Sequence, residues 1–236
     1  MLSIKNVTIT YETREAVKDL SLDFPPGKLT GLIGRNGAGK SSLLKAAVGL
    51  ISGYSGTIEF RGKELNKNRF RIKQNCGYAP EDAELLPYLT GREFLELIAK
   101  IRKSTDTQKE IDFLLNLHGI NDKADELVIN YSHGMKQKLS IAAALIGKPD
   151  FLILDEALNG LDPVSLYKLK NYLMEQAALN KIVIISSHIL SLIQQWCDPV
   201  IILNNGRVAK IFNAQEISEI EQNQSFESYF IKLVSG

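Results

Sequence analysis

The sequence predicts an α/β core interrupted by an all-helical insertion, and three observations carry that prediction. A short apolar run, Leu29 to Ile33, passes through a glycine-rich loop into a helical pattern that starts at Lys40. A strand at Phe151–Leu154, a helix over roughly Val164–Leu179 and a strand at Ile182–Ser186 have the spacing of a parallel βαβ unit. Between these two regions, from Leu89 to about Ile146, apolar residues recur at helical spacing and no strand pattern is evident.

Taken in order, Leu2 to Thr10 reads as a strand, with Leu2, Ile4, Val7 and Ile9 apolar and one slip in the alternation near Asn6. Ser21 to Phe24 is a second strand, closed by the turn Pro25-Pro26-Gly27. The helix from Lys40 continues through Leu43, Leu44, Ala47 and Val48. Gly53–Phe60 and Cys76–Ala79 are further strands, ended by Gly62 and Pro80. In the insertion, Phe94, Leu95, Ile98 and Ile101 form one helical stripe and Ile111, Leu114 and Leu115 another. Val200–Leu203 and Val208–Phe212 flank Asn204-Asn205-Gly206, whose Asn-Gly step favours the positive φ angles of a tight hairpin. The last stretch, from Ala214 onward, carries Ile217, Ile220, Phe226, Tyr229, Phe230 and Leu233 in a partly helical pattern. It is expected to pack on the core or to meet a second subunit.

The bulk numbers narrow the function classes. The 236 residues are 44% hydrophobic and 23% charged, enough to bury a sizeable core. With 28 basic and 27 acidic residues the net charge is +1, so no global field draws the chain to nucleic acid or anionic lipid. No apolar stretch approaches the roughly 18–20 residues of a membrane span, and the first residues lack the pattern of a leader. A cytoplasmic chain is expected. Cys76 and Cys197 are far apart and outside any metal or redox spacing, which favours reduced, structural thiols.

Gly34-Arg35-Asn36-Gly37-Ala38-Gly39-Lys40-Ser41 has the form Gly, four residues, Gly-Lys-Ser, between a strand and a helix. Glycines let backbone N–H groups approach phosphate oxygens with no Cβ in the way, and the helix end adds its dipole. Lys40 suits the β- and γ-phosphates and Ser41 Oγ suits Mg²⁺, with Ser42 next to them. The loop by itself predicts a bound phosphate with Mg²⁺, and the phosphate of ATP is the expected one once the resemblance described below is added. A second site follows at the end of the apolar run Phe151-Leu152-Ile153-Leu154, where Asp155 and Glu156 stand side by side. Strand alternation is expected to send the two carboxylates in different directions. Asp155 suits the water shell of Mg²⁺, and Glu156 suits orienting or deprotonating an attacking water.

From about Leu2 to Phe212 the chain resembles the nucleotide-binding domains of ABC transporters. Tyr131-Ser132-His133-Gly134-Met135 looks like that family's signature, Asn159-Gly160-Leu161-Asp162 like its D-loop, Ser187-His188 like its switch histidine, and Tyr11 like the aromatic that stacks on adenine. Read alone, Tyr11 is equally a packing aromatic and His188 an edge histidine. His118 reads as a helix-end residue. The resemblance implies a P-loop NTPase (RecA-like) α/β core with an antiparallel β subdomain over about 1–81 and 148–213, an inserted helical signature subdomain over about 82–147, and a tail over 214–236, all in one domain. It implies an ATPase with Glu156, His188 and Lys40 as catalytic residues and Tyr11, Gly34 to Ser42, Ser132 and Gly134 on the nucleotide. Ser41, Asp155 and Glu81 would serve the metal.

It further implies a head-to-tail homodimer, in which Ser132 and Gly134 of one copy close over ATP on the other, and a separately encoded membrane permease as partner. Glu81 stands where many members have Gln, and a carboxylate accepts but does not donate hydrogen bonds. Glu81, together with His133 for a glycine and Met135 for a glutamine, resembles single-domain ATPases of type-2 export systems. The apolar group Leu85, Leu86, Pro87, Tyr88 and Leu89 is expected either to dock the permease or to begin the core of the insertion. An ABC ATPase acting on nucleic acid or ribosomes is the alternative, disfavoured by the near-zero charge and by the single domain; no nucleic-acid partner is expected.

Overall fold

A computed structural model describes residues 1–235. Strand β1 (Leu2–Tyr11) pairs antiparallel with β2 (Arg14–Phe24), and their register shifts between Ile4 and Val7, where Asn6 adopts φ +49°. That bulge is the slip seen in the sequence alternation. It also explains why β2 begins at Arg14 and not at Ser21: its first half, Arg14 to Leu20, pairs through irregular register and shows no clean period of two.

β3 (Leu29–Ile33) runs into the phosphate loop and α1 (Lys40–Ala47). β4 (Tyr54–Phe60) and the short β5 (Lys63–Glu64) complete a four-stranded antiparallel sheet in the order β2-β1-β4-β5. The polar helix α2 (Leu65–Gln74), which the sequence pattern did not reveal, leads to β6 (Cys76–Ala79).

The helical segment follows as α3 (Gly91–Arg102), α4 (Thr107–His118) and α5 (His133–Leu145). α3 starts at a reciprocal cap, Thr90 Oγ1 accepting from the Glu93 amide while the Glu93 carboxylate accepts from the Thr90 amide. α4 packs against both α5 and α6 (Pro163–Ala178). β7 (Phe151–Asp155), α6 and β8 (Ile182–Ser186) form the expected βαβ unit. The short α7 (Leu190–Trp196) precedes the hairpin β9 (Val200–Asn204) and β10 (Arg207–Phe212).

The second sheet has the order β10-β9-β3-β8-β7-β6, parallel except for the terminal β10. β3, β7 and β8 are buried along their whole length, as strands of a sheet covered on both faces must be. Alternation divides their side chains between two cores. Leu32, Ile153, Ile182 and Ile184 join α1 and the antiparallel sheet, while Ile33, Leu154, Val183 and Ile185 join the helical segment. Because β3, β7 and β8 are parallel, their carboxyl ends lie along one edge, where ligands of open α/β sheets bind.

The tail forms α8 (Ala214–Glu221) and α9 (Phe226–Ser235) and packs on the core: Phe226 is fully buried, edge-on to Phe212 at 5.4 Å. That ring alone contributes roughly 1.5–3 kcal/mol of burial.

Candidate functional site at the carboxyl edge of the parallel sheet

A cleft of about 680 Å³ opens at this edge. Its floor is the phosphate loop. Gly37 and Gly39 sit at φ +81° and +101°, and a Cβ on Gly39 would collide with the carbonyl of Ala16, so the loop can take this path only with glycine there. α1 begins at Lys40 without a side-chain cap, which leaves the N–H groups of its first turn directed toward the cleft mouth. Asn36, Gly37, Ala38, Gly39, Lys40, Ser41 and Ser42 line the cleft. Gly34 and Arg35 do not line it; Gly34 instead accepts a 2.9 Å hydrogen bond from Lys40 Nζ at the loop's base, and Arg35 is exposed.

The two carboxylates do point apart, for a reason other than the expected one. β7 ends at Asp155, and Glu156 turns out of the strand at φ +54°, so a backbone reversal and not strand alternation separates them. Asp155 Oδ1 accepts from Ser186 Oγ at 2.7 Å and from Ser41 Oγ at 3.2 Å, and Asp155 Oδ2 accepts from Tyr78 OH at 3.0 Å. Burial, the Asp155 charge and that hydrogen bond all push the Tyr78 phenol upward, so it remains a donor. Ser41 and Asp155 thus offer two hard oxygens side by side. That suits Mg²⁺, which takes one or two protein oxygens and keeps its waters and phosphates as the remaining ligands.

Glu156 is buried and tied on three sides. Its amide donates to the carbonyl of Ser186 at 3.1 Å, its Oε1 lies 3.3 Å from Lys40 Nζ, and its Oε2 accepts from the His188 amide at 3.0 Å and meets His188 Nδ1 at 2.9 Å. The His188 side chain is 59% exposed, so the imidazole stands at the surface while its partner is inside. Lys40, Glu156 and His188 therefore form one chain of contacts from the loop to the cleft rim. Such a set can hold a phosphate, position a water and relay a proton.

Tyr11, the last residue of β1, lines the cleft and is 47% exposed. Glu81 also lines it and is exposed. Arg14 is a lining residue that the sequence reading missed. Its Nη2 donates to the Gly37 carbonyl at 3.3 Å, and only its place three residues after the β1 end could have flagged it.

Ser132 and Gly134 are outside this cleft. Ser132 caps α5, its Oγ accepting from the Met135 amide at 3.3 Å, and Gly134 backs onto the carbonyl of Gly160. A Cβ on Gly134 would come within 2.9 Å of that oxygen. His133 is exposed and its ring borders Gly160. Lys138 of α5 pairs with Asp162 at 2.7 Å, which together with Ser165 holds the Asp162 carboxyl well below the usual range and knits this segment to the start of α6. His118 is the last residue of α4 as expected, but it is buried, with neither ring nitrogen hydrogen-bonded.

Comparison with known proteins is consistent with this geometry. The family model described as ABC transporter matches residues 17–159. The chain is 37% identical over 209 residues to the bacitracin transport ATP-binding protein BcrA of Bacillus licheniformis, an alignment spanning 88% of this chain and 68% of that one. A solved structure described as the ATP-binding subunit of an ABC transporter matches with a TM-score of 0.91 at 29% identity, over 99% of both chains. The ATP-binding cassette MJ0796, solved as a dimer in a post-hydrolysis state with ADP and Pi, matches in fold with a TM-score of 0.84 at 23% identity, over 91% of this chain and 99% of that one.

Proposed function

Because this chain belongs to the ABC transporter family, as an ATP-binding and ATP-hydrolysing subunit, we propose that it works as a head-to-tail pair that energises a separate membrane permease in the direction of export. The observation that carries the reading is the fixing of Glu156 between Lys40 and His188 at the lip of the phosphate loop.

In this reading Tyr11 stacks on adenine, and the amides of the loop and of the first turn of α1 receive the phosphates. Lys40 exchanges the Gly34 carbonyl and Glu156 for the β- and γ-phosphates. Ser41 and Asp155 would hold Mg²⁺, with Glu81 as a further oxygen donor for it, and its chemistry when bound would be neutralisation of charge on the phosphates. Glu156 orients the attacking water and takes its proton as the oxygen bonds to the γ-phosphorus and the bond to the bridging oxygen of ADP breaks. His188 keeps the carboxylate aimed at that water.

Ser132 and the Gly134 amide, which stand away from their own cleft, serve the nucleotide on a second copy. The dimeric assembly of MJ0796 supports such pairing. The permease would dock over residues 81–89, where Leu86 and Tyr88 are exposed, Tyr88 by 78%. None of the described helices is long and apolar enough to cross a membrane, so membrane attachment would run through that partner. Export is supported by Glu81 and by the Tyr131-Ser132-His133-Gly134-Met135 pattern.

The test is Glu156→Gln. ATP turnover should fall by at least about 100-fold, while ATP still binds and drives the chain to twice its size on a sizing column. Turnover at the original rate would sink the catalytic assignment. A membrane pull-down that recovers ribosomes and no polytopic protein would sink the permease.

A further inference from the structure

A second cleft, of about 560 Å³, lies where the helical segment meets the core, and the reaction outlined above leaves it unused. One wall comes from the end of α3, the turn after it and the first turns of α4. The other comes from Gly147-Lys148 and the last turns of α6. Its volume is that of a small-molecule site.

The charges in it are unbalanced. Arg102, Lys103, Lys109, Lys148 and Lys181 line it against only Asp106 and Glu110, in a chain whose net charge is +1. Several of these groups are already engaged. Arg102 donates to the carbonyls of Ala144 and Ile146 at 2.9 and 2.6 Å, Lys181 to Gln176 and the Lys148 carbonyl, and Glu110 accepts from Ser104 Oγ and the Gly147 amide. Lys103, Lys109 and Lys148 have no carboxylate partner among the described residues.

Beside these free ammonium groups lies an apolar platform. Phe113 and Tyr172 meet at 5.7 Å and 46°, with Phe113 51% exposed and Leu179 68% exposed. Burial pushes the Tyr172 phenol up to about 12, which keeps it an uncharged ring. Aromatic surface next to unpaired cations suits a flat apolar body carrying negative charge.

We propose that this cleft binds a small aromatic anion, its ring against Phe113, Tyr172 and Leu179 and its charged group between Lys103, Lys109 and Lys148. The ligand bridges the two halves of the fold. α5 ties the cleft to the signature segment, since the Ala144 and Ile146 carbonyls held by Arg102 close one end of that helix and Ser132 caps the other.

The probe is 8-anilinonaphthalene-1-sulfonate, with uncharged N-phenyl-1-naphthylamine and inorganic sulfate as its separated apolar and anionic parts. On the intact chain the sulfonate should saturate one site that ATP does not displace, and each partial probe should bind at least tenfold more weakly. Lys103→Gln/Lys109→Gln/Lys148→Gln and, separately, Phe113→Ser should each weaken the sulfonate at least tenfold, with unaltered circular dichroism. Unchanged affinity in both variants, equal binding of the uncharged probe, or full displacement by ATP overturns the proposal. So does loss, in the triple variant, of co-sedimentation with phosphatidylglycerol vesicles in place of a loss of probe binding. The binding readout needs no ATP turnover, so its failure is distinguishable from failure of the transport reading.

Discussion

His118 brings a pH dependence to a chain whose reacting groups sit elsewhere. Burial foremost, and then the Lys138 charge, lowers its pKa from 6.5 to about 3. The unfolded chain therefore takes up a proton below pH 6.5 that the folded chain refuses until about pH 3. Stability is fully present above pH 6.5 and declines across that window as pH falls, by about 1.4 kcal/mol per unit. His118→Leu should flatten that slope between pH 6.5 and 5 in urea titrations, whatever it does to stability at pH 8.

At the same scale, Tyr78 is the donor that fills Asp155 Oδ2. Tyr78→Phe leaves that oxygen short of a hydrogen bond to a charged group, and the chain should lose about 1.5–3 kcal/mol. The measurement is the urea midpoint without nucleotide, and an unchanged midpoint would mean that water replaces the phenol.

The tail offers a prediction at the scale of elements. α8 starts at a reciprocal cap between Asn213 and Glu216, and α9 is held chiefly by Phe226 against Phe212 and by Val234. Phe226→Ala removes a buried ring, a change that costs about 3–5 kcal/mol where the structure must stay folded around it. Because α9 buries only Phe226 and Val234, the tail should detach instead. Amide exchange in 214–235 should rise at least tenfold while that in β3, β7 and β8 stays as it was; a uniform rise would make the tail part of the core's cooperative unit.

Elements also differ in how far the sequence betrayed them. β3, β6, β7 and β8 were legible to within a residue because a doubly covered strand is apolar throughout and ends where a loop must turn. α2 was not, since its ten residues are mostly polar and amphipathic packing leaves little periodicity in Leu65 and Ile72 alone. α7, at seven residues, is too short to establish a period. Around the cleft, the loop residues, Asp155 and Glu156 were marked by motif spacing, which reflects chemistry, whereas His188 was marked only by the family resemblance. Arg14 and Tyr78 were not, because their contacts are made by sheet register and leave no trace in local pattern.

For the whole molecule, two cores share one sheet. The side chains of β8 alternate between them, so Ile182 and Ile184 stabilise the half with the phosphate loop while Val183 and Ile185 stabilise the half with α3 to α5. A single strand thus joins the half that carries the phosphate loop to the half that carries α3 to α5. Ile184→Ala should therefore lower the unfolding midpoint of the whole chain in one transition, by an amount corresponding to about 2–5 kcal/mol. Two separate transitions, monitored by the lone Trp196 and by circular dichroism, would instead make the halves independent folding units.

The distance of Ser132 and Gly134 from their own cleft has a genetic corollary. If each working site takes its loop from one copy and its signature from the other, then Lys40→Ala and Ser132→Arg are recessive to each other and inactive alone. Mixed, the two damaged chains rebuild one intact site in every heterodimer, with the second site doubly defective. Random pairing puts half of the dimers in that state, so turnover should return on mixing to a substantial fraction of the native rate. If both residues served the same nucleotide within one chain, no ratio of the two would restore it.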